Sequence, residues 1–510
     1  NAFNNLNGST FNPLASIALG SGQLLTNAGT LAPGGKGSVQ TSTLTGNLLQ
    51  TSSGVLGIDL SLAGRSSDRL NVIGNAAVGG NVLVNPVDTG RSRIGTQQTV
   101  ILNASGGATA NSLTLNAPRS PVVSYVLSYP SAREIAVTTE VNFRPAGLSG
   151  NAGRLGDYVN AVQAAGGSDS LAPYVAALLG LSDEASLRAA YEKLGPGALG
   201  TLASSTTLAS QSFNNAMHSC RQREGDYRFI REGECSWMRF DGSMRDQERQ
   251  AENPGYRQDT LTLAGGLQRA LGNDLHLGFG LSYQQSALNS LYSSVDGQRF
   301  EGGLIVKQRY EATRLSLSFS GGYGRYDARR LVDLVTPDTL AQSKQDLWFA
   351  SLQGRISHDI MASDNTYIRP MLGLGVTYTN RLPYLESGAG GANLKVERQT
   401  DTFVALQPAI EFGGETPVGG EGTLLRHFAR LGLTHFLNSP EQQFTASFEG
   451  APAGVAPFTV ITRNDRTYTD LALGFDLLRK SGTNVRVEYN GQFSANSTTH
   501  AVGLKLSMPF

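Results

Sequence analysis

Two stretches near the end of the chain decide the fold: Val485-Arg486-Val487-Glu488-Tyr489-Asn490-Gly491-Gln492-Phe493 and Ala501-Val502-Gly503-Leu504-Lys505-Leu506-Ser507-Met508-Pro509-Phe510. In the first, Val485, Val487, Tyr489 and Phe493 alternate with Arg486, Glu488, Asn490 and Gln492. In the second, Val502, Leu504, Leu506, Met508 and Phe510 share one face, and Ala501, Gly503, Lys505 and Ser507 the other. A strand places successive side chains on opposite faces, so each reads as a strand between an apolar and a polar medium.

The same pattern recurs upstream. Leu275, Leu277, Phe279, Leu281 and Tyr283 alternate with small or polar residues, as do Leu315, Leu317, Phe319 and Tyr323, and Leu471, Leu473, Phe475 and Leu477. Twelve segments are expected, near 232–242, 256–270, 273–285, 298–309, 312–326, 343–358, 366–379, 396–413, 424–437, 465–479, 483–494 and 498–510. Ordinary strands run ~5–6 residues, whereas a tilted strand needs ~9–11 to cross a bilayer. The gaps also alternate. Those at 243–255, 286–297, 327–342, 380–395 and 438–464 are long, and those at 271–272, 310–311, 359–365 and 480–482 tight. The gap at 414–423 is intermediate, and 495–497 is a short exception on the long side. Short turns on one side and long loops on the other are the signature of an outer-membrane barrel. A soluble all-β sandwich is the competing reading, disfavoured by strand length, loop asymmetry and the final Phe. The expected fold is thus all-β dominated: a twelve-stranded antiparallel transmembrane barrel, with helices and a β-solenoid before it.

Composition agrees. Among 510 residues, 41 Lys and Arg balance 41 Asp and Glu, which removes the basic face a nucleic-acid binder needs. Glycine (61) is high and proline (19) modest, as in β-structure. Two cysteines exclude a disulfide-dense scaffold. The six histidines (218, 276, 358, 427, 435 and 500) are dispersed, so no metal or cofactor is expected. No run of ~18 apolar residues is present to make a transmembrane helix, which does not bear on a barrel. Asn1 is not an initiator Met and no leader follows it, so a mature chain or a fragment of a longer one is expected.

Residues 1–145 are nearly uncharged, with short apolar alternations such as Val55–Leu60, 81–84, 99–102, 122–127 and 134–138. A solenoid or a sandwich is expected there. Residues 154–222 differ. Leu171–Gly180 reads as a short helix. A second starts at an N-cap Ser182, carries Asp183 and Glu184 in its first turn, aligns Leu187, Tyr191 and Leu194, and stops at Gly195-Pro196-Gly197. Residues 198–221 form a third, slim and rich in Ala, Ser and Thr, suited to a polar tunnel.

Taken together these parts resemble a monomeric, type V autotransporter of Gram-negative outer membranes. Ser67–Val72 and Gly79–Val84 look like the end of a pertactin-like passenger β-helix, with its folding-promoting segment. Leu171–Ser219 looks like the linker that threads the pore, and the alternating end at Phe510 like the signal read by the barrel-assembly machinery; Pro509 departs from the usual pattern. The resemblance implies three domains: a passenger end (1–145), a helical linker (146–222) with pore helix 198–221, and the translocator barrel (223–510). It implies a monomer in the outer membrane that exports and anchors its passenger on the cell surface, with an adhesion or immune-evasion role by analogy. The implied partners are outer-membrane lipid and lipopolysaccharide, the barrel-assembly machinery, periplasmic chaperones, and host or other cell-surface molecules.

In that setting individual residues gain expected roles. An oxidising periplasm suggests a Cys220–Cys235 disulfide. Arg355, Asp470, Asp476, Arg486, Glu488 and Lys505 are expected to face the lumen, and Trp237, Trp348, Tyr378 and Tyr468 to join an interfacial girdle. Gly242 and Tyr323 (or Tyr326) resemble a glycine groove filled by an aromatic during assembly. Some secreted-protease relatives cut themselves between two asparagines in the barrel, which singles out Asn214-Asn215. The flanks Ser212-Phe213 and Ala216-Met217-His218 match that subfamily poorly, and two polar residues facing a wet lumen is the preferred reading. No nucleophile elbow, phosphate loop or zinc motif occurs. A translocator, a self-cleaving barrel and a helix-plugged channel are therefore the three functional readings, in that order.

Overall fold

The computed structural model describes residues 2–218, 220–222, 231–272, 274–418, 423–479 and 483–510. The expected linker end at Ser219, most of the return toward Glu232, the 480–482 turn and part of 414–423 lie outside these residues.

The N-terminal part is a parallel β-solenoid. Phe3–Asn5, Leu24–Asn27, Asn47–Gln50, Asn75–Val87 and Gly107–Asn116 pair in parallel along one row. Ser16–Ala18, Thr41–Thr45, Arg69–Ile73 and Gly95–Ala104 form a second. Each coil buries one apolar residue above its equivalent in the next, as Leu25 over Leu48 and Leu44 over Val72, and these stacks make the core. Beside them runs a buried amide ladder. Asn5 Nδ2 donates to Asn27 Oδ1 (2.7 Å), Asn27 Nδ2 to Gln50 Oε1 (3.0 Å), and Gln50 Nε2 to the Gly79 carbonyl (2.6 Å). Gly80 (φ +71°) sits where the pairing register shifts, and a Cβ there would fall 2.2 Å from the Gly54 carbonyl oxygen. Val123–Ser131 and Glu134–Val141 finish the solenoid as an antiparallel hairpin on Gly95–Ala104.

Four helices follow: α1 Gly150–Ala164, α2 Ala172–Leu179, α3 Glu184–Leu194 and α4 Leu202–Met217. The sequence reading missed α1 because its glycines mask an apolar stripe of Leu155, Tyr158, Val159 and Val162. The N-cap of α3 is Asp183, not Ser182. Asp183 Oδ1 accepts from Ser186 N (2.8 Å), which holds this carboxyl below the usual range, while the Ser182 hydroxyl only donates to Asp183. A 3₁₀ turn, Gly197–Thr201, leads into α4, which ends at Met217 rather than near 221.

Twelve long antiparallel strands close the barrel. They are β1 Cys235–Gln247, β2 Tyr256–Gly272, β3 Leu275–Asn289, β4 Ser293–Tyr310, β5 Thr313–Leu331, β6 Leu340–His358, β7 Thr366–Arg381, β8 Gln399–Pro417, β9 Leu424–Phe436, β10 Thr467–Leu478, β11 Asn484–Phe493 and β12 Ser497–Pro509. Neighbours in sequence pair, and β12 returns to β1 with Cys235 opposite Pro509 and Gln247 opposite Ser497. Closure leaves the long strands no free edge, the condition for β-structure in lipid. The outer face is apolar, as at Leu261 (62 % exposed), Phe319 (56 %) and Val502 (59 %), while Arg, Glu, Ser and Gln point inward. In water this inside-out arrangement would expose an apolar belt far beyond what a soluble protein carries; lipid covers it. No described helix is long and apolar enough to cross a membrane, so crossing falls to the strands.

Three of the expected long loops shrink, to 248–255, 290–292 and 332–339, because the flanking strands run longer than the alternation indicated. The loops at 380–395 and 438–464 instead build a four-stranded sheet of Tyr384–Leu385, Leu394–Val396, Gln442–Phe448 and Phe458–Thr462. Tyr158 of α1 packs edge-on to Phe448 and against Phe458, Asn151 exchanges two hydrogen bonds with the Ile461 backbone, and Tyr174 of α2 donates to the Ala389 carbonyl. One hydrophobic cluster consequently runs from Ile17 in the solenoid through α1–α3 to Val460 at the barrel mouth.

Within the solenoid, Asp68 and Asp59 lie buried side by side. Asp68 accepts the Gln40 and Asp59 amides (2.7 and 2.8 Å), but burial outweighs these bonds and Asp59 adds to it, so the Asp68 carboxyl is pushed up to about 6. A carboxyl that holds its proton more tightly when folded adds stability below its unfolded value near 3.8, and this contribution is lost as pH rises through about 6. Thermal melts of the solenoid should therefore show higher midpoints at pH 4.5 than at pH 7.5, and Asp68→Asn should flatten that dependence.

Candidate functional site: the plugged lumen

Helix α4 stands in the barrel. Its sequence, LASSTTLASQSFNNAM, carries no charge and only two bulky aromatic or sulfur side chains, so it is slim enough for a lumen already lined with side chains. It leans on the wall of β3–β7. The Ser210 hydroxyl donates to Glu301 Oε1 (2.6 Å), and Glu301 pairs with Arg299 (3.3 Å). Near the lower end Phe213 and Met217 enter a recess that β3 and β4 keep open with glycine. A Cβ on Gly303 would fall 2.9 Å from Met217 Cε and 3.0 Å from Phe213 Cε1. On the opposite side a polar space of about 270 Å³ remains, bounded by Arg239, Arg245, Arg430, Asp470, Arg486 and Glu488.

The sequence-derived residues fall as follows. Arg355 hydrogen-bonds Asn215 Oδ1 on the helix, and Lys505 Nζ donates to the Ala216 carbonyl (3.1 Å). Arg486 joins Asp476 (2.7 Å) and Glu488 (3.5 Å) across β10 and β11, away from the helix. Asp470 accepts from Thr434 (2.6 Å) and Gln492 (2.9 Å). Val502, Leu504, Leu506, Met508 and Phe510 are exposed or half-buried along the outer side of β12. Asn214 is fully buried. Its Nδ2 donates to the Ser210 carbonyl (3.1 Å) and the Ser320 hydroxyl (3.1 Å).

The girdle expectation is corrected in part, and Gly242 and Tyr323 are not in contact in the closed barrel. Gly242 lies in β1 and Tyr323 in β5, and nothing comes within 4 Å of a Cβ built on Gly242. Tyr323 stacks on Trp348 and hydrogen-bonds Asp346 on the outer face, whereas Tyr326 covers Gly297 and Gly324 inside. Of the proposed girdle, Trp348 (53 % exposed) and Tyr378 (44 %) face outward. Trp237 and Tyr468 are buried in the lumen, Trp237 against Lys505 Nζ at 4.5 Å and Tyr468 against Phe436. One-residue alternation fixes faces only relative to each other, and the β1 and β10 aromatics fall on the inner set.

Sequence reading missed Glu232. Fully enclosed beneath the helix, it meets Lys307 (3.1 Å), Arg314 (3.1 Å) and Gln268 (3.0 Å) from β4, β5 and β2. It opens the expected 232–242 segment, where alternation gives a face but not the ion-pair partners. The Arg369–Glu411 pair (2.6 Å) and the Arg426–Glu415 pair (2.8 Å) were legible in principle, as charges at inward positions of their strands. Beside Glu232, Cys220 and Cys235 are joined in a disulfide, with Cα atoms 5.8 Å apart, tying the end of the helical segment to the first residue of β1. A loop of this size is worth ~3 kcal/mol in the chain-entropy model. Reduction of the folded protein, or the pair Cys220→Ser and Cys235→Ser, should leave the barrel closed but loosen the plug. Bilayer recordings should then show more frequent opening to a larger conductance; an unchanged record would show that Glu232 and its partners hold the floor alone.

Comparison with known proteins follows the same lines. The autotransporter beta-domain family model matches residues 236–490, half of the chain. The chain is 23 % identical over 276 residues to an extracellular serine protease of Serratia marcescens, covering 54 % of this chain and 26 % of that protein; it spans about a quarter of that relative's length. Among solved structures it is similar to the translocator domain of the autotransporter NalP from Neisseria meningitidis, with TM-score 0.48, 13 % identity, and 61 % of this chain and 99 % of that one covered. It is also similar to the beta domain of the Bordetella autotransporter BrkA, with TM-score 0.39, 17 % identity, and 55 % and 100 % covered. A closed barrel with an apolar outer belt, a helix in its lumen and a family match across β1–β11 lead to one conclusion: this chain belongs to the autotransporter family, and its C-terminal half is the outer-membrane translocator.

Proposed function

We propose that this translocator keeps its passenger attached after export. Residues 1–145 serve as the passenger's membrane-proximal end, 146–222 as the linker and 223–510 as the barrel; the passenger acts on the cell surface in adhesion or immune evasion, and residues 1–510 themselves do no enzymatic work. The observation that carries this reading is the shared core. The linker is not a free tether, because α1–α3 are buried between the solenoid and the loop sheet, and α4 continues from them into the lumen. A protease would have to open that core before it could reach the connection.

Assembly partners follow from the surface. The apolar row Val502–Phe510 suits recognition of the last strand by the barrel-assembly machinery after escort by periplasmic chaperones. The outward aromatics Tyr283, Phe300, Tyr323 and Trp348, opposite one another on β3–β6, suit the interface with lipopolysaccharide. The self-cleaving alternative is less well supported. Asparagine cyclisation needs a positioned acid, and among the described residues no carboxylate hydrogen-bonds Asn214 or Asn215; serine hydroxyls and Arg355 meet them instead. The helix-plugged channel needs a movable α4, and the contacts of Arg355 and Lys505 with its lower end oppose that movement.

Intact cells making the full chain should show one full-length band, with the solenoid reached by added protease and α4 protected. Asn214→Asp should leave the band pattern and the amount of surface solenoid unchanged. A fragment beginning at Asn215 in the unaltered protein, lost in Asn214→Asp, would replace the attached-passenger reading with the self-cleaving one.

A further inference from the structure

Side chains of α4 meet the wall, as Ser210 meets Glu301 and Asn215 meets Arg355, but four other contacts between barrel and linker share a different feature. Arg330 Nη1 of β5 donates to the Lys193 carbonyl (2.6 Å), Arg381 Nη1 of β7 to the Leu199 carbonyl (2.9 Å), Arg299 Nη1 of β4 to the Thr206 carbonyl (3.2 Å), and Lys505 Nζ of β12 to the Ala216 carbonyl (3.1 Å). The four acceptors descend the chain from the mouth to the floor. All are main-chain oxygens, and all four donors are cations buried in the wall. The helix answers with no charged side chain of its own over 202–217.

The Lys193 and Ala216 carbonyls lie in the last turns of α3 and α4, where no i+4 amide answers them, and the mid-helix Thr206 carbonyl still offers its second lone pair; every residue of every sequence carries such an acceptor. Hydrogen bonds from a charged donor are the stronger kind, and a buried cation must find acceptors of some sort. A wall that paired with acidic side chains would hold one sequence. A wall whose cations reach carbonyls holds any slim chain. Arg381 shows the point most clearly: it hydrogen-bonds the Leu199 carbonyl and Gln399, and its guanidinium lies 4.5 Å from the Phe444 ring centroid, with no carboxylate in ion-pair range among the described residues.

We propose that Arg330, Arg381, Arg299 and Lys505 form a backbone-reading track, a binding surface for the main-chain carbonyls of a polypeptide irrespective of its side chains. Resting on the export reading above, the track makes the lumen tolerant of passenger sequence: successive segments are gripped and released by the same cations, and α4 is the last segment to occupy them.

The test is the rate at which the solenoid becomes accessible to external protease in pulse-labelled cells making the full chain. The Arg381→Gln, Lys505→Met double variant should slow this step about tenfold, the scale expected when charge-assisted bonds are lost. Arg381→Lys with Lys505→Arg, which keeps the donors, should restore most of the rate. Exchanging Ser205, Ala209 and Ser212 among Ser, Ala and Thr should change nothing. The heat-modifiable band counts assembled barrels in each case, and rates are taken per assembled barrel. Export at the unaltered rate in the double variant, equal slowing by the helix exchanges, or failure of the donor-keeping variant to recover would each overturn the track. Absence of external solenoid in the unaltered protein would instead overturn the export reading.

Discussion

The structure depends on the pairing of its first and last long strands. Thirteen residues of β1 lie in register with β12, from Cys235 opposite Pro509 to Gln247 opposite Ser497. In hydrocarbon each unpaired amide or carbonyl costs several kcal/mol, so an open sheet of this length could not stay in a bilayer. Once closed, the barrel sorts its own side chains: the alternation that puts Val502 and Leu504 toward lipid puts Gly503 and Lys505 inside. The lumen then inherits a dense set of buried charges, and each must be answered within the molecule.

Two kinds of answer appear. Some charges pair across strands, as Arg486 does with Asp476 and Arg369 with Glu411, and stiffen the wall. Others reach inward to the linker. The helix is therefore part of the lumen's electrostatic closure and not merely an obstruction, and its glycine-lined recess for Phe213 and Met217 fixes its depth. The floor adds a covalent tie through Cys220–Cys235 and an ionic one through Glu232. Above the mouth, loops that would ordinarily be free are folded into a sheet that packs on α1, so the solenoid, linker and barrel share a core.

Much of this was legible in the residues. Strands with strict alternation, such as β3, β5 and β12, could be read because one face meets lipid and the other does not, which writes period two into the sequence. Strand ends were less clear. Beyond the bilayer both faces meet water or other protein, the alternation loses its contrast, and β3, β4 and β5 ran on past their expected limits. Helix α1 was hidden by Gly150, Gly153 and Gly156, which permit close packing but weaken the helical signal. Arg355 and Lys505 could be assigned to the lumen by parity alone. Trp237 and Tyr468 were misassigned because an aromatic near a strand end suits a girdle and a lumen equally well. Glu232 opens the expected 232–242 segment, but only the folded chain brings Lys307, Arg314 and Gln268 to it.

Closure of the barrel is tested most directly by trapping the β1–β12 seam. Ser243 lies opposite Ala501, and a Ser243→Cys, Ala501→Cys chain should cross-link on mild oxidation in native membranes, giving a ring that migrates differently from the reduced chain after full denaturation. A Ser243→Cys, Ser507→Cys chain, out of register, should not. Efficient cross-linking of the in-register pair alone is the result this account predicts. Failure of that pair to cross-link in membranes that contain the protein would contradict the closed barrel and the lumen built upon it.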